Sequence, residues 1–152
     1  MGVTDTFMVI LISISGVYKC LWLYVGEQGL YEMLEFECRV EKDEALRVPG
    51  INRYYMVCGD VEIVVELPKH IYRLNVGDIV SLNILEDRDE CLKNDFCGQG
   101  HVVTSSRIDD IHRIILSIGG LLVIIKAKPG MEFIDKLRVV EKYYVGIKRL
   151  TK

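Results

Sequence analysis

The sequence predicts an all-β protein, a small antiparallel barrel of about seven or eight strands, on three observations. Apolar side chains recur at alternate positions in several short runs. Turn residues, glycine foremost, separate those runs. Past Met33 no long helical period interrupts them. At 152 residues and 17.4 kDa the chain has the size of one domain, or one domain with an appendage. Half of its residues are apolar and only three are proline, which excludes disordered, collagen-like and low-complexity classes. Closing the sheet on itself removes exposed edges, and an oligonucleotide/oligosaccharide-binding (OB) type barrel is the natural form at this size.

The first 32 residues stand apart from that pattern. Phe7 to Val25 is long enough for a membrane span and carries only Lys19 as a charge. That central lysine, the β-branched and aromatic content, and Ser13, Ser15 and Gly16 in its middle argue against a membrane helix. A secretory signal fits worse, because Asp5 precedes the run and no basic residue does. The favoured reading is an appended segment, or translation assigned from too early a start codon, outside a barrel domain spanning residues 33–152.

The strands follow in order. Met33 leads into Leu34 to Val40, an alternating run that can open the domain. Val61, Ile63, Val65 and Leu67 alternate with Glu62, Val64 and Glu66, so one face enters a core, and Pro68 ends the strand. Asn75 to Asp78 is a turn, after which Ile79 to Leu85 resumes the alternation. Glu86 to Asp95 reads as an exposed charged loop. Phe96 to Arg107 is a strand whose glycines bend or bulge it. Ile111 to Ile118 and Leu121 to Ile125 flank Gly119-Gly120, a two-residue hairpin turn. Pro129-Gly130 marks a further turn. Val139 to Ile147 closes the domain with Tyr143 and Tyr144 on opposite faces.

Net charge is unevenly spread: −2 over residues 1–32, −7 over 33–110 and +6 over 111–152. A solitary nucleic-acid binder needs a dominant cationic surface, which the whole chain, at −3, lacks. Opposed halves suit docking to a partner of mixed charge. The basic C-terminal part nevertheless interleaves Arg113, Lys126, Lys128, Lys148 and Arg149 with Tyr143 and Tyr144, the pattern of single-strand binders. Autonomous single-stranded nucleic-acid binding is therefore the alternative function.

Catalytic signatures are missing. No phosphate-binding loop, dinucleotide fingerprint, nucleophile elbow or zinc-protease spacing occurs. His70, His101 and His112 have no adjacent nucleophile in sequence. The acidic cluster Glu86, Asp87, Asp89 and Glu90 lacks the spacing of a calcium loop. Cys91, Cys97 and His101 lie close together but offer neither a tight ligand pair nor a fourth ligand for zinc. The five cysteines (Cys20, Cys38, Cys58, Cys91 and Cys97) are odd in number and scattered. The expectation is reduced thiols in a reducing, cytoplasmic compartment, with no disulfide framework, metal or cofactor.

Ser117 to Ile125 reads SIGGLLVII, and the closing strand ends YYVGIKRL. These stretches resemble the C-terminal half of the eighth small subunit of DNA-directed RNA polymerase, shared by eukaryotes and present in some archaea, where it is the G-type subunit. Its pattern is a Ser, a bulky residue, Gly-Gly-Leu-Leu, an apolar residue and a later Lys-Lys-Leu. Ser117, Ile118, Gly119, Gly120, Leu121, Leu122 and Val123 follow it residue by residue, and Lys148, Arg149 and Leu150 approximately. Val61 to Leu85, with Ile71-Tyr72 ahead of Gly77-Asp78, and Phe36 to Val40 are similar to other parts of the family. The resemblance covers Met33 to Leu150. The chain departs from eukaryotic members in its shorter Glu86 to Asp95 loop and in lacking their acidic opening, which favours an archaeal form.

The resemblance implies an OB-type barrel that docks on the largest polymerase subunit as a non-catalytic accessory subunit and reaches nucleic acid only through the complex. Nucleotidyl transfer and its magnesium then reside in other subunits. Apart from the resemblance, a barrel tethered to a membrane through residues 1–32 is a third, disfavoured reading. Ser117, Gly119, Gly120, Leu121 and Leu122 become the candidate partner-binding residues. Gly119 and Gly120 would allow close approach, while Leu121 and Leu122 would fill the barrel or form an apolar contact.

Overall fold

The computed structural model describes residues 9–14, 18–24, 30–128 and 142–151. Ten strands, all paired antiparallel, and one helical turn make up these residues: β1 (Val9–Ile14), β2 (Tyr18–Tyr24), β3 (Leu30–Ala45), β4 (Ile51–Cys58), β5 (Val61–Pro68), β6 (Ile79–Leu85), α1 (Arg88–Cys91), β7 (Phe96–Ile108), β8 (Ile111–Ile118), β9 (Leu121–Ala127) and β10 (Lys142–Arg149). The sheet order β3-β4-β5-β9-β8-β7-β10-β6, with β6 pairing back onto β3, closes an eight-stranded barrel. The all-β expectation is met, and the turn Pro129-Gly130 lies outside the described residues.

Two Greek keys compose the ring. In each half a three-stranded meander is followed by a fourth strand that returns beside the first, giving the spatial orders β6-β3-β4-β5 and β10-β7-β8-β9. The halves join where β5 pairs with β9 and where β6 pairs with β10. Both first strands carry a register shift, β3 between Val40 and Lys42 and β7 between Val102 and Thr104. These bulges bend long strands around the barrel. The β7 shift is the kink its glycine-rich sequence predicts, although it falls just past the glycines.

Alternation fills the interior. Leu34, Phe36 and Val40 on β3, Met56 on β4, Ile63 and Val65 on β5, and Leu82 and Ile84 on β6 are buried from the first half. Val102, Ile114, Leu116, Val123, Ile125, Val145 and Ile147 meet them from the second. Full burial of each such side chain contributes roughly 1.5–3 kcal/mol. Tyr54 also enters the core, where its hydroxyl accepts the Leu74 N–H at 3.3 Å.

β1 and β2 form a hairpin outside the ring. β2 pairs with residues 30–36 of β3, along the same edge that β4 occupies further on. The apolar run is thus paired strand where it is described. No helix among the described residues is long and apolar enough to cross a membrane.

Two expectations are corrected and one strand is added. Ile51–Cys58, passed over in the sequence, is a full barrel strand, because Arg53, Tyr55 and Val57 face out while Tyr54, Met56 and Cys58 face in. With large apolar groups on both sides, its period is hidden. Within the predicted 86–95 loop, residues 88–91 form a helical turn, and Cys91 is fully buried. The cysteines, read as reduced thiols, are paired: Cys38 with Cys58, and Cys91 with Cys97. Cys38 and Cys58 face each other across β3 and β4 with Cα atoms 4.2 Å apart, a juxtaposition that spacing along the chain cannot reveal. Bonded sulfurs also remove Cys91 and Cys97 from any joint metal site with His101.

The linker carrying α1 lies against the outside of β6 and β10. Asn94 accepts a hydrogen bond from Asn83 at 3.2 Å and donates to the Cys91 carbonyl at 3.0 Å. Gly146 lies beneath it, where an added Cβ would collide with the Asn94 amide and stand 2.8 Å from its Cγ. Gly146→Ala is therefore expected to cost about 1–3 kcal/mol, and Asn94→Ala to recover part of that loss. Denaturant unfolding of the two single variants and the double variant checks the coupling, and strict additivity would contradict the contact.

Candidate docking face

Gly119 and Gly120, at φ 59° and 101°, make the two-residue turn predicted between β8 and β9. The turn is further tied by the Gly120 N–H donating to Ser117 Oγ at 3.2 Å. Both glycines are exposed, and Ser117, Leu121 and Leu122 are half-buried. The five candidate partner-binding residues therefore share one hairpin end. Its root is held from within: Gly100 on β7 leaves the space that the Ser117 backbone and the Ile118 side chain occupy.

From that end an apolar stripe runs across the outer surface. Tyr55 on β4 pairs with Val64 on β5, Val64 with Ile124 on β9, and Ile124 with Ile115 on β8. All four are half-buried, and neighbouring strands lie about 4.8 Å apart, so the stripe spans about 14 Å. Val57, 41% exposed, extends it beside Tyr55. A groove of about 140 Å³, lined in part by Tyr55, Val57, Glu62, Val64 and Lys126, opens on it.

Charges flank the stripe on both sides. On one side Arg53 bridges Glu66 at 2.8 Å and Glu44 at 3.5 Å, and Glu66 accepts the Leu122 N–H at 3.1 Å. The hydrogen bond to Glu66 raises the guanidinium pKa further, so Arg53 stays charged and committed. On the other side Glu62, Lys126 and Arg113 lie on successive strands and are all exposed.

The residues proposed for nucleic-acid stacking do not assemble. Tyr143 is buried at 8% exposure, facing the barrel interior, so it offers no ring to a base. Tyr144 is half-buried on the opposite face, as predicted, and Lys148 is exposed. Lys128 lies 3.9 Å from Asp60. Arg149 is built into the barrel end: its Nε is 3.1 Å from Asp78, its guanidinium donates to the Arg73 carbonyl, and it lies over the Tyr72 ring. Asp95 binds both the Arg149 N–H at 2.9 Å and the Tyr72 hydroxyl at 3.2 Å.

Burial, reinforced by Asp95, pushes the Tyr72 phenol up to about 12. The folded state then holds that proton more tightly than the unfolded chain, whose phenol titrates near 10. This contribution to stability is complete below pH 10 and is lost as pH climbs through about 12. Tyr72→Phe is expected to flatten the decline of unfolding free energy over that window. An unchanged pH profile would contradict the assignment.

The histidines separate likewise. His70 and His101 are exposed, and His112 is buried with its Nε2 2.7 Å from Ser105 Oγ across the β7–β8 hairpin. No cluster of three or more His, Cys, Asp or Glu suited to a metal ion occurs among the described residues.

The stripe does not show in any one strand, because its members are neighbours only across strands. An internal repeat was the available signal: Gly59 and Gly119 stand 60 positions apart, each opening a two-residue turn between outer strands. At that offset Tyr55 matches Ile115 and Val64 matches Ile124, so the stripe is one motif used twice about a pseudo-twofold axis.

In class, then, this is a closed eight-stranded antiparallel barrel of two Greek-key halves with a half-exposed apolar face. Residues 33–150 match the family model of the RpbG subunit of DNA-directed RNA polymerase, and the chain belongs to that family. Among curated proteins it is similar to DNA-directed RNA polymerase subunit Rpo8 of Saccharolobus shibatae. The two are 28% identical over 120 residues, which cover 75% of this chain and 92% of the relative.

Proposed function

We propose that this chain is a non-catalytic accessory subunit of DNA-dependent RNA polymerase in the cytoplasm, docking on the largest subunit and supporting assembly of the transcription complex. The observation that carries the reading is the outer stripe of Tyr55, Val64, Ile124 and Ile115, continuous with the Ser117 to Leu122 hairpin end. Apolar groups left half-exposed in a row on a sheet suit a protein interface. Family membership supplies the assembly in which such an interface would be buried. Residues 33–152 are the docking domain, residues 1–32 an appendage to it, and contact with nucleic acid is indirect, through the complex.

Affinity purification of the native full-length chain, with mass spectrometry of co-purifying proteins, tests this. Large polymerase subunits are expected in fixed proportion to the chain. A solitary chain would overturn the reading.

A further inference from the structure

We infer that the stripe receives a segment of another protein whose apolar side chains sit beside an acidic one, and that Arg113 and Lys126 receive the acid. The inference rests on the docking reading above and specifies the chemistry of what is docked.

The two halves of the barrel treat equivalent arginines differently. Arg53 and Arg113 occupy matching outward positions on β4 and β8, 60 residues apart. Arg53 faces Glu66 on the neighbouring strand and is neutralised by it at 2.8 Å. The residue matching Glu66 in the second half is Lys126, so Arg113 faces a second cation. Like charges directly opposite on adjacent strands repel. Neither cation has an ion-pair partner within 4.0 Å among the described residues. Glu62 faces Lys126 from the other side, so two cations share one carboxylate. A carboxylate brought by a partner would relieve this repulsion, and the apolar stripe beside it would bury the partner's apolar groups.

The groove beside Lys126 supports the same conclusion. Its volume of about 140 Å³ is close to that of a cavity which takes a benzene ring, enough for one apolar side chain. Nucleic acid fits this surface poorly. The stripe is aliphatic apart from Tyr55, whose ring faces Lys42 Nζ at 5.3 Å and whose hydroxyl binds Glu44 at 3.2 Å. Stacking faces for bases are therefore scarce.

The test uses the full-length chain in its native complex. A photo-crosslinking residue replaces Val57, which is exposed and outside the buried core. The expected product is a crosslink to a polymerase-subunit peptide bearing Asp or Glu beside apolar residues. In parallel, a triple variant, Glu62→Lys with Arg113→Glu and Lys126→Glu, reverses the whole cluster and so keeps both its internal attraction and its internal repulsion. It is expected to lower recovery of the polymerase subunits roughly tenfold, with the thermal midpoint unchanged. Arg113→Lys is expected to retain recovery.

If Ile124→Asp abolishes recovery while charge reversal does not, acidic recognition is overturned and docking stands. A crosslink to nucleic acid, or to a peptide without acidic residues, also overturns the inference. Failure of the unaltered chain to recover polymerase at all would instead reject the docking reading beneath it.

Discussion

Replacing Gly100 with alanine is expected to lower the unfolding free energy by about 3 kcal/mol, at the upper end of what overpacking costs. Gly100 is buried on β7. A Cβ there would overlap the Ser117 carbonyl oxygen and stand 2.9 Å from its carbonyl carbon and 3.1 Å from Ile118 Cγ1. The obstruction is backbone, so no rotamer change relieves it and β7 and β8 must part. Because Ser117 roots the β8–β9 hairpin, the same substitution should weaken recovery of polymerase subunits. Gly119→Ala is the informative control. Its Cβ meets nothing within 4 Å, and only its φ of 59° opposes the change, at about 1 kcal/mol. Denaturant unfolding in which Gly100→Ala costs no more than Gly119→Ala would contradict the close contact.

Removing the Cys38–Cys58 bridge is expected to have a similar effect. It joins residues 20 apart, and cross-linking a loop of that length stabilises a fold by about 3 kcal/mol through the unfolded chain. Cys38→Ala combined with Cys58→Ala should lower the thermal midpoint by roughly 10 °C in a domain of this size. The Cys91–Cys97 bridge spans only six residues and should contribute less. Thiol titration of the unfolded, unreduced protein provides a direct check. Five reactive cysteines in place of one would refute both bridges. Intracellular disulfides are documented in hyperthermophilic archaea, so such bridges are compatible with a place beside the polymerase.

These two predictions concern matching places in the halves of the barrel. At the 60-residue offset Cys58 corresponds to Ile118, which lies against Gly100 where Cys58 binds Cys38. One half closes that cross-strand position covalently, the other by pressing an isoleucine onto a bare backbone.

Much of this was legible in the residues. The alternation in Val61–Leu67 and Ile111–Ile118, the glycine pair at 119–120 and the bend in Phe96–Arg107 each follow from local rules of pleat and turn. So did the family, which showed in a short run around that glycine pair before the match over residues 33–150 established it. Tyr143 was less legible. Its place beside lysines suggested a stacking surface, yet its position on β10 turns it inward.

By itself, then, the sequence determined that the chain is β, where most strands begin and end, and which side chains face a core, because those properties depend on neighbours one or two residues away. Only the tertiary structure decided that Cys38 meets Cys58, that Arg113 faces Lys126 and that four half-exposed residues line up as a stripe. Cross-strand neighbours come from distant parts of the chain, and their register is set by closure of the whole barrel.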